Sequence, residues 1–179
     1  MTEVGTVYGE ALYDLARTEG LSEGIFGELT VLRESFRQEP DFLRLLGAPN
    51  LSKQERCQIL DDCFRGRVAP YTLNFLKILM EKGYIRHFSH CCDAYMSRYY
   101  EDNGILPVTA ITAVPMTEAQ TEKLRQKLRA ITGKDILLHS RVEPGTLGGV
   151  RLDYDGRQLD DTVAHRLQNI RDLLKKTVL

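Results

Sequence analysis

The sequence predicts a mainly α protein: an N-terminal six-helix bundle followed by a small α/β C-terminal domain with a terminal helix. Two observations carry this prediction. As far as Asn103 and Gly104, apolar residues recur at intervals of three and four, the period of an amphipathic helix. Beyond Gly104 the pattern changes to alternating and β-branched runs, which are typical of strands. We therefore predict two domains, residues 1–104 and residues 105–179.

Three helices are predicted in the first part of the chain. The first ends at Gly20, and its apolar face consists of Val4, Tyr8, Ala11, Leu12, Leu15 and Ala16. Ser22 is expected to cap the second helix, which Pro40 ends. The face of this second helix consists of Ile25, Leu29, Leu32 and Phe36. A short third helix follows and ends near Gly47. These three amphipathic helices are expected to pack against one another.

Three further helices complete the predicted bundle. Ser52 and Glu55 have the spacing of a capping box, so a fourth helix starts there and runs through Phe64. A fifth runs from Pro70 to about Lys82, because proline suits a first helical position and Gly83 suits the residue beyond the end. A sixth occupies residues 84 to about 102. Six short helices joined by brief loops indicate a helical bundle.

The second part alternates strands and helices. Ile105, Leu106, Val108, Ile111 and Val114 predict a strand, and a second capping box opens a helix at Thr117–Gln120 that Gly133 ends. This helix is expected to turn Leu124, Leu128 and Ile131 inward. Two more strands are predicted at 136–142 and 150–154, with a hairpin turn at Asp155–Gly156. A last helix is expected from about Thr162, with an apolar face of Val163, Leu167, Ile170 and Leu174.

Composition excludes several classes of protein. The 179 residues are 42% hydrophobic and carry a net charge of -1, which argues against a disordered chain and against a strongly basic nucleic-acid binder. Charged residues interrupt every apolar stretch, and the acidic first residues resemble no targeting peptide, so we expect a protein of the cytoplasm without a membrane span. The charge is unevenly distributed: residues 1–104 carry -4 and residues 105–179 carry +3. The two ends therefore suggest two different partners.

Phosphate binding and metal binding are poorly supported by the motifs. Residues 133–135 fail as a phosphate loop, because the upstream glycine and the magnesium-binding hydroxyl are missing. The glycine-rich run at 145–149 lies between two strands, so a turn with positive φ explains it better than a dinucleotide site. His87, His90 and Cys91 share one face of the sixth helix, yet they lack ligands from a second element. We therefore interpret these three residues as part of a helix face that is buried or lies at the boundary of the core.

An acid–base site is the remaining enzyme alternative. Asp160 and Asp161 stand near His165 in the sequence, and paired carboxylates beside an imidazole can transfer protons. Acids immediately before a helix are more often its caps. We therefore expect no catalytic residue, no bound cofactor and no metal ion.

Four segments, in chain order, resemble the delta subunit of F-type ATP synthases, the family of the mitochondrial oligomycin-sensitivity-conferring protein. Val7–Tyr13 is similar to the family's Tyr-x-x-Ala-Leu start of the first helix, and Asn74–Gly83 is similar to its fifth helix. The other two are the glycine turn at 142–149 and a C-terminal signature, in which Gly148, Gly149, Asp160, Val163 and Leu167 match. The chain departs from the pattern at Tyr84, where the family usually has arginine, at Asp155–Gly156, where the usual order is reversed, and at Asp161–Thr162 in place of Gly-Ser.

The resemblance implies a non-catalytic stator subunit. In the family this subunit joins the catalytic head to the peripheral stalk, so that rotation stays coupled to ATP synthesis and proton transport. The helical domain would bind the head through its alpha (and beta) subunits, and the C-terminal domain would bind the b subunits. The implied head-binding groove lies between helices one and five and consists of Tyr8, Ala11, Leu12, Leu15, Asn74, Phe75, Ile78 and Leu79.

The resemblance also implies a location and leaves an alternative. The protein would lie at the cytoplasmic face of the cell membrane, peripheral to it, without direct membrane insertion and without nucleic acid. Periodicity alone does not separate groove contacts from core residues, because an apolar stripe serves both. The alternative function is a small nucleic-acid-binding adaptor that uses the basic C-terminal part.

Overall fold

Seven α-helices and four β-strands make up the part of the chain that the computed structural model describes, residues 2–47 and 51–162. The helices are α1 (Glu3–Thr18), α2 (Ser22–Gln38), α3 (Pro40–Leu46), α4 (Lys53–Phe64), α5 (Pro70–Glu81), α6 (Phe88–Asp102) and α7 (Glu118–Thr132). The strands are β1 (Ile105–Thr112), β2 (Asp135–Val142), β3 (Val150–Tyr154) and β4 (Arg157–Asp160). Short 3-10 turns precede α6 at Ile85–His87 and β3 at Pro144–Thr146. The predicted fold class, a helical bundle followed by a small α/β domain, is confirmed.

The chain forms two compact units, one ending at Tyr99 and the other beginning at Tyr100. The last turn of α6 therefore belongs with the second unit. The predicted terminal helix beyond Thr162, with Val163, His165 and Leu167, lies outside the described residues. No helix in the described ranges combines the length and the apolar character that crossing a membrane requires.

The core of the first unit confirms the predicted face of α2. All four of its apolar positions are buried, and Phe36 packs its ring against Phe42, Phe64 and Phe88 at centroid distances of 5.0 to 6.1 Å. The capping box that opens α4 is also present: the Ser52 side chain accepts from the Glu55 amide, and the Glu55 carboxylate accepts from the Ser52 amide. These aromatic contacts join α2, α3, α4 and α6 in one core.

Two expectations about helix starts are wrong. Ser22 does not cap α2, because Leu21 occupies the capping position without a side-chain bond, and the Ser22 carbonyl instead accepts a hydrogen bond from Tyr95 Oη at 2.8 Å. The sixth helix starts at Phe88 rather than at residue 84, because a tighter 3-10 turn at residues 85–87 follows the left-handed Gly83. His87 consequently lies before α6 and not on it.

The second unit contains a four-stranded sheet in the order β2-β1-β3-β4. Strand β1 runs parallel to β2, which the crossover helix α7 makes possible, and antiparallel to β3. The hairpin turn between β3 and β4 is at Asp155–Gly156, as predicted, and both residues have positive φ (46° and 68°). This is the backbone of a type I′ turn, for which aspartate followed by glycine is well suited.

Two apolar residues of this unit depart from the prediction. Ile131 is 82% exposed, because it lies in the last turn of α7 beside the left-handed Gly133, and no residue of the described chain covers it. Strand β1 ends at Thr112, before Val114, because the Thr112 hydroxyl donates to the Val114 carbonyl at 2.7 Å and turns the chain. The capping box at Thr117 and Gln120 is present as predicted.

Candidate functional site: a groove between the first and fifth helices

Helix α1 is held close to α6 by two glycines. A Cβ atom on Gly5 would lie 2.5 Å from His90 Cβ, and one on Gly9 would overlap the Cys91 carbonyl oxygen. Only glycine permits so close an approach. These glycines mark the face of α1 that packs on α6, and the four predicted groove residues of α1 occupy other positions of the helix.

Tyrosine contacts tie α1 to α5 at both ends. Tyr8, in the first half of α1, packs edge-to-face on Tyr84, just beyond α5, with ring centroids 5.7 Å apart. At the other end, the Tyr71 hydroxyl donates a hydrogen bond to the Glu19 carboxylate, which raises the pKa of Tyr71. The start of α1 thus meets the end of α5 and the end of α1 meets the start of α5, so the two helices run antiparallel.

Helix α5 is positioned from α2 by a carboxylate. Ala69, the residue before α5, offers no side-chain cap, and Glu28 of α2 takes that place. Glu28 Oε1 accepts from the Ala69 amide at 2.7 Å, and Oε2 accepts from the hydroxyl of the fully buried Thr72. A negative charge at a helix N-terminus also interacts favourably with the helix dipole. Glu28 therefore sets both the start and the position of α5.

The eight predicted groove residues divide by burial, and we call the buried ones the floor and the others the walls of the predicted groove. Leu12, Phe75 and Leu79 form the floor, with exposed fractions of 5%, 6% and 0%. Tyr8 is half-buried, and the others are exposed: Ala11, Leu15, Asn74 and Ile78. Leu15 and Ile78 keep 43% and 45% of their surface exposed. Apolar surface left in water does not stabilise the isolated chain. A partner helix that covered Leu15 and Ile78 would remove this surface from water.

Sequence reasoning missed the residues at the ends of the groove. The family pattern marks Tyr84 only as a departure, and no motif marks Tyr71 or Glu19. The ends depend on pairs far apart in the chain, such as Glu19 with Tyr71. No local spacing in the sequence reveals such a pair. The one signal is Tyr71 itself, because a tyrosine hydroxyl in the first turn of a helix usually needs a hydrogen-bond partner.

The glycine turn and the C-terminal signature meet in the second unit. Gly148 and Gly149 have φ values of 148° and 82°, which confirms the interpretation as a turn with positive φ. A Cβ atom on Gly149 would lie 2.5 Å from the Asp161 carbonyl oxygen, so the chain leaving β4 crosses directly over the turn. Asp160 Oδ1 accepts from the Thr162 amide at 2.9 Å, which fixes that crossing. Val163 and Leu167 of the same signature lie outside the described residues.

The histidines and the cysteine considered as metal ligands pack against the start of α1. His87 Nδ1 lies 3.4 Å from Thr2 Oγ1, which also accepts from the Gly5 amide. The two histidine rings are 6.2 Å apart, and burial raises the pKa of the Cys91 thiol to about 11. Within residues 2–47 and 51–162 no three side chains of the metal-ligating types are grouped together.

Comparison with known proteins gives consistent matches. The family model described as "ATP synthase delta (OSCP) subunit" matches residues 4–174. The ATP synthase subunit delta of Alkaliphilus oremlandii is 31% identical over 172 residues, which cover 96% of each chain. That of Desulfitobacterium hafniense is 30% identical over 167 residues, or 93% of each chain. A chain of the cryo-EM structure of the Toxoplasma gondii mitochondrial ATP synthase hexamer has the same fold, with a TM-score of 0.81, 20% identity and coverage of 97% and 98%.

Proposed function

Because the chain belongs to the ATP synthase delta (OSCP) subunit family, we propose that it is the stator subunit that links the catalytic head to the peripheral stalk. The family match over nearly the whole chain carries this proposal, and the groove between α1 and α5 supplies the surface it needs. The nucleic-acid-binding adaptor finds no support in these matches. The chain serves the synthase as a coupling subunit and has no catalytic activity of its own.

The groove receives an amphipathic helix from an alpha subunit of the head. Two antiparallel helices with a buried apolar floor and exposed apolar walls form the kind of channel in which a partner helix lays its apolar face. The exposed walls supply the contact, chiefly Tyr8, Ala11, Leu15 and Ile78, while the floor keeps α1 and α5 apart at a fixed spacing. Residues 105–179 form the second contact, with the b subunits.

A stator works by resisting torque. The head would turn with the central shaft unless a link of sufficient affinity held it to the stalk. Affinity comes mainly from apolar burial at a few well-packed positions, whereas charges set the register and the rate of encounter. The acidic first domain and the basic second domain therefore help to direct each end of the chain to its own partner. The protein works at the cytoplasmic face of the membrane, peripheral to the bilayer.

Co-purification tests the proposal directly. The full chain carrying an affinity tag, expressed in its own cells and isolated with mild detergent, is expected to retain alpha, beta and b subunits in the eluate, as identified by mass spectrometry. An unrelated tagged protein of similar size and charge is the control. Recovery of the tagged chain without any synthase subunit, or together with ribonucleoproteins, would contradict the stator function.

A further inference from the structure

A second cavity in the first unit lies apart from the groove. It has a volume of about 480 Å³ and is formed by α2, α3, the 3-10 turn and the start of α6. None of the groove residues lines it. The rings of Phe36 and Phe88, 5% and 1% exposed, close it off from the core, and the half-buried Leu43 lines it as well. Three arginines, Arg33, Arg37 and Arg86, also line it.

Two of the three arginines already have carboxylate partners. Arg37 is bound by Glu34 through two parallel hydrogen bonds of 2.7 and 2.9 Å, and this contact lowers the pKa of Glu34 to about 2, so that the carboxylate stays ionised. Arg33 donates to Asp93 at 2.9 Å. These bonds hold two guanidinium groups in place beside the cavity, and each keeps N–H groups that could bind a further acceptor.

The third arginine, Arg86, has no polar partner among the described residues. Arg86 is exposed and makes no ion pair or side-chain hydrogen bond with any residue in the described ranges. Three guanidinium groups and two carboxylates leave the cluster with one net positive charge. A site with that balance suits one carboxylate. A phosphate group, with nearly two negative charges, would call for more uncommitted cations than the cluster has.

We propose that this cavity is a docking site for an acidic segment of a protein partner, distinct from the helix that fills the groove. An apolar or aromatic side chain of the segment packs on Leu43 and on the aliphatic stems of the arginines, above the nearly covered rings of Phe36 and Phe88, and a neighbouring carboxylate pairs with Arg86. The contact gives the first unit a second hold, at different residues from those of α1 and α5. This inference extends the proposed stator function but uses none of its contacts.

A peptide titration tests the proposal on the full-length chain. The probe is the blocked dipeptide acetyl-Phe-Glu-amide, added in millimolar amounts while amide NMR signals of the isotope-labelled protein are recorded. We expect saturable shifts at Phe88, Ser89 and Arg86, and binding roughly fivefold weaker for acetyl-Phe-Gln-amide. Equal binding of the two dipeptides, or shifts confined to α1 and α5, would overturn the proposal. Equal shifts with inorganic phosphate alone would do so too, since the site would then bind anions in general.

Variants at Arg86 separate charge from folding. Arg86→Gln is expected to weaken binding of the Phe-Glu dipeptide by about fivefold and to leave thermal unfolding unchanged, because the side chain is exposed. Arg86→Glu should reverse the preference, so that acetyl-Phe-Lys-amide binds better than acetyl-Phe-Glu-amide. Arg44→Gln is the control, since Arg44 lies on α3, is paired with Asp41 and does not line the cavity. An unchanged preference in Arg86→Glu would overturn the proposal.

Failure here is distinguishable from failure of the stator function. Groove variants such as Ile78→Ala should reduce binding to the head and leave the dipeptide shifts intact, because no groove residue lines the cavity. A chain that co-purifies with the synthase yet shows no dipeptide preference would retain its proposed function and lose only the second docking site.

Discussion

Ile78 and Leu79 are neighbours in α5 that face different environments, and substituting each by alanine separates binding from folding. Ile78 is 45% exposed on the groove wall, whereas Leu79 is 0% exposed on its floor. Full burial of an isoleucine stabilises by about 1.5–3 kcal/mol, so covering the exposed 45% of Ile78 in a complex is worth about 0.7–1.4 kcal/mol. Ile78→Ala should therefore weaken binding to the catalytic head by roughly three- to tenfold.

The expected effect on folding is the reverse. Leu79→Ala leaves a cavity in a packed core and should cost about 2–5 kcal/mol of unfolding free energy. Ile78→Ala should change the unfolding free energy much less, because nearly half of the side chain is already in water. Urea unfolding followed by circular dichroism measures stability, and calorimetric titration of the folded chain into a head preparation lacking this subunit measures affinity.

A matched control keeps the comparison fair. Val31→Ala, on α2 and 66% exposed, removes a similar exposed side chain that lies outside both the groove and the cavity. It should change neither stability nor affinity. The reasoning fails if Ile78→Ala binds the head as tightly as the parent chain, or if Val31→Ala weakens binding equally.

Four further predictions follow from the structure. Tyr8→Ala should weaken head binding while the chain stays folded; a large loss of thermal stability with unchanged binding would place Tyr8 in the core. Deleting 105–179 should abolish stalk binding and preserve head binding, and loss of both would contradict two separable surfaces. Glu28→Ala removes the acceptor for two donors at the start of α5 and should cost about 1–3 kcal/mol by urea unfolding, with Glu28→Gln milder; equal stability of parent and variants would refute the capping function. The hydrogen bond from Lys77 lowers the pKa of Asp61 below its ordinary 3.8, so the ion pair stabilises the folded chain above that pH, and this stabilisation is lost as the pH falls through the lowered pKa. The melting temperatures of Asp61→Asn and of the parent chain should therefore converge in acid. A difference that stays constant with pH would show that the ion pair does not stabilise the fold.

Local chemistry explains why some elements could be predicted from the sequence. Ser52 with Glu55, and Thr117 with Gln120, satisfy each other's amides within one turn, so their spacing in the sequence is sufficient. Ser22 has the residue type of an equally good cap, but it is already the first residue of α2, and Leu21 occupies the capping position without a side-chain hydrogen bond. A start can be predicted where the sequence carries a local signal, as with these capping boxes or with Pro70 in the first turn of α5, whereas no local signal decides whether Leu21 or Ser22 occupies the capping position of α2.

The division of the groove into walls and floor was beyond the sequence for a different reason. An apolar stripe on a helix spans at least 100°, which is the angle between consecutive residues, so Ile78 and Leu79 can both belong to it. Which of the two faces solvent depends on where α1 lies, and that depends on Gly5 and Gly9 packing against α6. Periodicity finds the stripe, and only tertiary packing assigns its edges.

Tyr84, at the position where the family resemblance would lead one to expect arginine, makes a ring contact with Tyr8 at one end of the predicted groove. An arginine there would hold its partner through charge, and an exposed ion pair weakens as salt rises. Tyr84 instead packs its ring against Tyr8, a contact of the aromatic edge-to-face type that depends little on ionic strength. Head binding by this chain should therefore fall less between low and high salt than binding by a Tyr84→Arg variant. If the two respond equally to salt, the ring contact does not govern that end of the groove.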